Sequence, residues 1–196
     1  MSHDSKYILP SGVFKNKFGI TDGEELAKQE DVYVGLRSLE LVYNPIELTF
    51  DLKHLQKIHK HIFQDIYSWA GEIRDVNIYK GNSFCNCRFI ESEANKLFNK
   101  LAEDNHLKGL SKTDFSKKVA YYFGEINALH PFRDGNGRTQ RIFILELAKS
   151  AGYQLDFQKV SQTDMINASI EAWNGNYKPF EDMFKEITIK QNDRES

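Results

Sequence analysis

The sequence predicts a mainly α chain, a helical bundle around one buried central helix with a single small β-hairpin between helices. Three observations predict it. Apolar residues recur at helical spacing over most of the 196 residues. Between the helical stretches, residues 73–90 lose that period, gathering Val76, Ile78 and Tyr79 before a Lys80-Gly81-Asn82-Ser83 turn signal, with Phe84 and Phe89 after it. The run from Arg138 to Ala151 is apolar on nearly every side, as the centre of a bundle is.

Each element follows in order. Residues 1–20 are irregular, broken by Pro10, Gly12 and Gly19. Thr21 or Asp22 caps the first helix, with Glu24 and Glu25 in the turn where the helix dipole favours acids. Leu26, Val32, Leu36, Leu39 and Val42 continue it until Pro45. Asp51 opens a second helix over Leu52 to Ile66, which Ser68-Trp69-Ala70-Gly71 ends. The hairpin that follows is marginal alone, so it leans on the helices or awaits a partner strand. Helices are predicted over 91–105 and from Ser111 or Thr113 to Leu129. The central helix runs from Arg138 to Ala151, with Gly152 as its C-cap. Two more lie near 161–174 and 179–190, and Gln191 to Ser196 read as a frayed end.

An apolar fraction of 40% is core material for one domain over 1–196, its centre spanning about 7–190. Lys+Arg total 26 against 28 Asp+Glu, which excludes an extended nucleic-acid surface. No window approaches the ~18 consecutive apolar residues of a membrane span. The opening MSHDSKYILP lacks the order of a secretory signal. Cys85 and Cys87 are the only cysteines, so no disulfide framework is expected and a cytoplasmic, reducing setting is the simplest reading. As metal ligands they form half a site at best, and packing on the hairpin is favoured. His59 and His61 read as core or surface residues, Trp69 and Trp173 as core or interface aromatics.

One segment carries chemistry, His130-Pro131-Phe132-Arg133-Asp134-Gly135-Asn136-Gly137-Arg138-Thr139-Gln140-Arg141. Arg138 and Arg141 are placed in the first turn of the following helix, where each opposes the dipole by roughly 0.3–1 kcal/mol. Two glycines and an asparagine before them tolerate positive φ, so backbone N–H groups can converge. Loop, dipole and arginines spaced i, i+3 describe an anion site, most simply for phosphates. Arg133 is grouped with these arginines. Asp134 beside phosphates suits Mg²⁺. His130, with an intrinsic pKa near ~6.5, suits a general base for an attacking hydroxyl. Together they suggest phosphoryl-type transfer from a nucleotide. Each residue taken singly also fits a turn or a helix end.

The segment resembles the signature of the Fic family, H-x-F-x-[D/E]-G-N-G-R-x-x-R, at every defined position. The resemblance implies a Fic fold with the hairpin as its flap, and transfer of AMP from ATP to a protein hydroxyl with release of pyrophosphate. It assigns His130 as the base for a Tyr, Thr or Ser hydroxyl, Phe132 as the loop anchor and Asp134 as the Mg²⁺ ligand. Gly135, Asn136 and Gly137 become the anion hole, Arg138 a phosphate contact, and Arg141 the holder of the γ-phosphate. The flap around Ile78, Tyr79, Asn82 and Phe84 would align the target as an added strand. Lys80 and Gly81 at its tip would touch nucleotide, Lys80 being otherwise a solvated turn lysine.

Many members carry an inhibitory [S/T]-x-x-x-E-[G/N] helix. The nearest run here, Thr21 to Glu25, is followed by Leu26. This implies either restraint by a separate small antitoxin whose Glu meets Arg141, as in a Fic toxin–antitoxin pair, or no such restraint, with type II topoisomerase subunits as candidate targets. One catalytic fold fills the chain, so no inhibitory or targeting module is expected within it. Two alternatives stand beside this reading. One is a Doc-like kinase, whose relatives carry Lys where Gly137 stands. The other is a non-catalytic nucleotide-binding interaction module.

Overall fold

The computed structural model describes residues 3–80 and 82–191. Among them are seven α-helices: α1 (Gly23–Tyr43), α2 (Leu52–Phe63), α3 (Ile90–Glu103), α4 (Lys112–Leu129), α5 (Asn136–Ser150), α6 (Gln162–Trp173) and α7 (Lys178–Ile187). Four short strands, β1 (Tyr79–Lys80), β2 (Asn82–Ser83), β3 (Tyr153–Leu155) and β4 (Thr188–Lys190), form two antiparallel pairs, β1–β2 and β3–β4.

Local chemistry sets most helix starts. Asp22, Asp51, Ser111 and Ser161 are N-caps whose side chains accept the N–H of Glu25, His54, Asp114 and Asp164. Each such cap is worth about 1 kcal/mol. α5 packs against α2, α4 and β3, and Phe143, Ile144, Leu147 and Ala148 bury its inner face. It is central on one side only, since Leu145 is 39% exposed. α4 in turn packs against α3, α6 and α7.

The structure departs from the sequence reading in several places. α1 buries Leu26, Glu30, Val34 and Leu41, whereas Val32, Leu36, Leu39 and Val42 face outward. Both sides of this helix are apolar, so periodicity alone does not choose between them. α5 begins at Asn136, which puts Arg138 in its first turn but Arg141 in its second. The hairpin strands are only two residues each, with Tyr79 opposite Ser83. Finally, Thr188–Lys190 leaves the predicted last helix to pair with Tyr153–Leu155, placing Thr188 beside Leu155, both buried. Gln191 is described, and the remainder of the expected frayed end lies outside the described residues. No helix among the described residues is long and apolar enough to cross a membrane.

Candidate active site

The loop between α4 and α5 is built by buried contacts. α4 ends on His130, a left-handed C-cap with φ 44° and ψ 61°, whose N–H bonds to Ile126 O at 3.1 Å. That conformation costs a non-glycine residue about 1–2 kcal/mol, so neighbouring contacts must hold it. Phe132 is fully buried and stacks on His59 of α2 with ring centroids 4.0 Å apart. Asn136 closes the loop on the same residue: its Oδ1 accepts the Phe132 N–H at 2.8 Å and its Nδ2 donates to Phe132 O at 2.7 Å. The Gly71 N–H donates to His59 Nδ1 at 2.8 Å, which leaves Nε2–H to donate to Asp134 O at 3.0 Å. Burial pushes the His59 pKa down to about 3, with the Arg138 charge adding to the shift, so His59 stays neutral in that tautomer.

Gly135 is the N-cap of α5 at φ 76°, and a Cβ there would lie 2.3 Å from the Phe63 ring. No side chain among the described residues caps this helix. The N–H groups of Asn136, Gly137 and Arg138 precede its first internal bond, from Thr139 N–H to Gly135 O at 3.1 Å. Gly137 is exposed, and a Cβ on it would sit 3.8 Å from Arg141 Nη1, so the Arg141 guanidinium lies beside this backbone. Arg141 is half-buried and has no carboxylate partner among the described residues. Burial, then the Arg138 charge, lowers its pKa.

Arg138 has other partners. Its Nη1 donates to Glu30 Oε2 at 2.7 Å and its Nη2 to Asp134 Oδ2 at 3.0 Å, with the guanidinium 4.7 Å from the Phe63 ring centroid. Tyr67 donates its hydroxyl to the other Glu30 oxygen. Two of the five N–H donors of Arg138 are thereby used, leaving three. Arg133 points elsewhere, to Asp4 at 3.0 Å and over Phe14, so the expected trio of arginines is a pair. Asp134 Oδ1 has no hydrogen-bond partner among the described residues. One carboxylate oxygen beside an anion cradle fits Mg²⁺, which takes one or two carboxylates together with substrate phosphates and water.

The flap leans on α4 and α6. The Cys85 N–H donates to Ala128 O at 3.0 Å, and Trp173 Nε1 donates to Ser83 O at 2.9 Å. Phe84 stacks on the His130 imidazole with centroids 3.7 Å apart and planes 17° from parallel. A cleft of about 290 Å³ lined by Phe84, Leu129, Glu125 and Trp173 opens beside them. Ile78 is buried and Tyr79 is 71% exposed. Lys80 and Asn82 lie in the strands; their side chains, and Gly81, lie outside the described residues. Cys85 and Cys87 are free thiols, and no group of three or more His, Cys, Asp or Glu able to hold a metal occurs among the described residues.

Sequence reasoning missed Glu30, Tyr67 and Arg74. Glu30 had a signal: it stands between Leu26 and Val34 at i+4 spacing, a charge on an apolar stripe.

The Fic/DOC family model matches residues 49–148. Protein adenylyltransferase VbhT of Bartonella schoenbuchensis is 47% identical over 176 residues, covering 89% of this chain and 37% of that protein. The chain therefore spans little more than a third of VbhT. The probable protein adenylyltransferase Fic of Escherichia coli is 39% identical over 170 residues, covering 86% of this chain and 80% of that one. Among solved structures, BepC of Bartonella tribocorum with bound AMPPNP superposes with a TM-score of 0.90 at 30% identity, over 97% of this chain and 100% of that one. An N-terminal Fic domain from Bartonella quintana with bound ADP gives 0.89 at 32% identity, over 95% of each chain. Motif loop, helical frame, family model and relatives agree, and the chain belongs to the Fic/DOC family.

Proposed function

We propose that this chain binds ATP with its phosphates at the N-terminus of α5 and transfers AMP to a Tyr, Thr or Ser hydroxyl of a target protein, releasing pyrophosphate. The coarse activity, that of a nucleotidyltransferase, is carried by the curated relatives, which are named protein adenylyltransferases. The observation that supports the rest is the start of α5, which no side chain caps and where the Arg141 guanidinium lies beside Gly137 without a carboxylate partner among the described residues. Free N–H groups, the helix dipole and an unpaired arginine are what a polyphosphate requires.

In this reading His130 takes the proton of the target hydroxyl. The hydroxyl oxygen attacks the α-phosphorus, the bond to the bridging oxygen breaks, and pyrophosphate leaves. Gly135, Asn136 and Gly137 shape the anion hole, Arg138 holds Asp134 in place with donors to spare for phosphate, and Arg141 meets the γ-phosphate end. Asp134 would hold Mg²⁺, which when bound neutralises phosphate charge. Phe132 anchors the loop. The flap, from Ile78 through Tyr79, Lys80, Gly81 and Asn82 to Phe84, aligns the target segment along its edge.

Restraint comes from a separate small protein that brings a Glu to Arg141. Glu30 does not serve, because it is engaged by Arg138 and Tyr67. An exposed apolar stripe of Val32, Leu36, Leu39 and Val42 on α1 is the kind of surface a helical partner covers. Type II topoisomerase subunits are the first acceptors to try.

Calorimetric titration with AMPPNP tests the nucleotide site. Arg141→Ala weakens binding at least ~10-fold, the loss of a charge-assisted contact worth about 1.5–3 kcal/mol. Unchanged binding in that variant would remove the assignment.

A further inference from the structure

Arg74 lies outside the motif and is 1% exposed, the largest fully buried side chain in the molecule's described residues. Four of its five N–H donors end on backbone carbonyls. Nε donates to His130 O at 2.8 Å, Nη1 to Val76 O at 2.6 Å, and Nη2 to Cys85 O at 2.5 Å and Leu129 O at 3.5 Å. Its own backbone N–H donates to Pro131 O at 2.9 Å. No carboxylate pairs with it among the described residues, and burial lowers its pKa. A buried cation without a counter-ion costs several kcal/mol, so the carbonyls must compensate. Two of them, on Leu129 and His130, are at the negative end of α4, which favours a cation.

The partners fall into three chain segments. Val76 and Cys85 stand just outside the two flap strands, one on each side, while Leu129 to Pro131 carry His130. One planar, rigid guanidinium therefore joins both stems of the flap to the left-handed residue at the end of α4. Phe84, next to Cys85, stacks on the His130 ring beside that junction. An ammonium cannot reproduce it, because Lys offers a single nitrogen where Arg offers three in a fixed fork.

We infer that Arg74 is a positioning residue for the transfer reaction, clamping the flap stems to the His130 carbonyl so that the target-docking edge and the imidazole keep one fixed relation. This deepens the adenylyl-transfer reading and rests on it for His130's role. The nucleotide cradle at the start of α5 does not touch Arg74, so clamp and nucleotide binding separate.

The test compares wild type, Arg74→Lys and Phe84→Ala, with histidine labelled for NMR. Face-on stacking by Phe84 shifts the His130 ring protons upfield. Arg74→Lys is expected to move them toward their positions in Phe84→Ala, to lower the rate of α-label transfer to lysate protein at least ~10-fold, and to leave AMPPNP affinity within ~2-fold. Ring signals and rate at wild-type values in a folded Arg74→Lys protein overturn the inference. So does an equal loss of AMPPNP affinity. If Arg74→Lys does not fold, hydrogen exchange in the wild type decides: the Phe84 and Cys85 amides must exchange as slowly as those of Leu129 and His130, and exchange at open-loop rates overturns the clamp. If wild type transfers no α-label at all, the adenylyl-transfer reading fails, while the NMR and exchange results still judge the clamp.

Discussion

Gly135→Ala and Gly137→Ala, two residues apart, should behave oppositely. Gly135 has φ 76°, and a Cβ there would lie 2.3 Å and 2.4 Å from two atoms of the Phe63 ring. The left-handed backbone costs alanine about 1–2 kcal/mol. Moving Phe63 within a packed core costs about 1–3 kcal/mol more. The sum, roughly 2–5 kcal/mol, lowers the melting temperature of a chain this size by roughly 5–15 °C. At Gly137 a Cβ would meet only Arg141 Nη1, at the ordinary contact distance of 3.8 Å. Alanine is the better helix former by about 0.5–1 kcal/mol, so Gly137→Ala should melt at or above wild type. Its loss falls on AMPPNP binding instead, because the methyl group enters the proposed cradle. Thermal melts with and without AMPPNP read both effects. Gly135→Ala melting within ~2 °C of wild type, or Gly137→Ala melting equally low, would refute the reasoning.

Two further predictions concern the support of the loop. The folded-state pKa of His59 is depressed to about 3, so the unfolded chain binds the extra proton first and stability falls as pH drops below about 6.5. Between pH 7 and 5 this amounts to about 2 kcal/mol, and His59→Asn should lose correspondingly less over that range in thermal melts; equal losses would contradict the buried neutral imidazole. Glu30→Gln removes the charge that holds Arg138 and should cost about 1–3 kcal/mol in denaturant titrations, and Glu30→Ala more. A Glu30→Ala protein as stable as wild type would show that the Glu30–Arg138 bridge does not support the loop.

How much was legible depended on whether partners lie close in sequence. Caps such as Asp22, Asp51 and Ser111 were readable because each bonds an N–H three residues on. The turn of the motif loop was readable because its contacts are local: Gly135 is the N-cap of α5 and Asn136 bonds Phe132 four residues back. Glu30 meets Arg138 across 108 residues, and no local pattern announces such a pair. Arg74 is similar: its carbonyl partners at 129 and 130 become neighbours only when α4 and the flap pack. The β3–β4 pair joins segments more than thirty residues apart, and Thr188–Lys190 looked like the end of a helix until Tyr153–Leu155 was there to receive it. Arg133 was misplaced for the same reason, since its partner Asp4 lies 129 residues away.

The central claim is that the α-phosphorus of ATP is transferred and that His130 activates the acceptor. Parallel incubations of the wild-type protein and His130→Ala with ATP labelled at the α- or at the γ-phosphorus, using purified topoisomerase subunits and whole lysate as acceptors, address it directly. Adenylyl transfer predicts protein-bound label from the α position only, with release of pyrophosphate, and its loss in His130→Ala. Label from the γ position alone, or full transfer by His130→Ala, would contradict it.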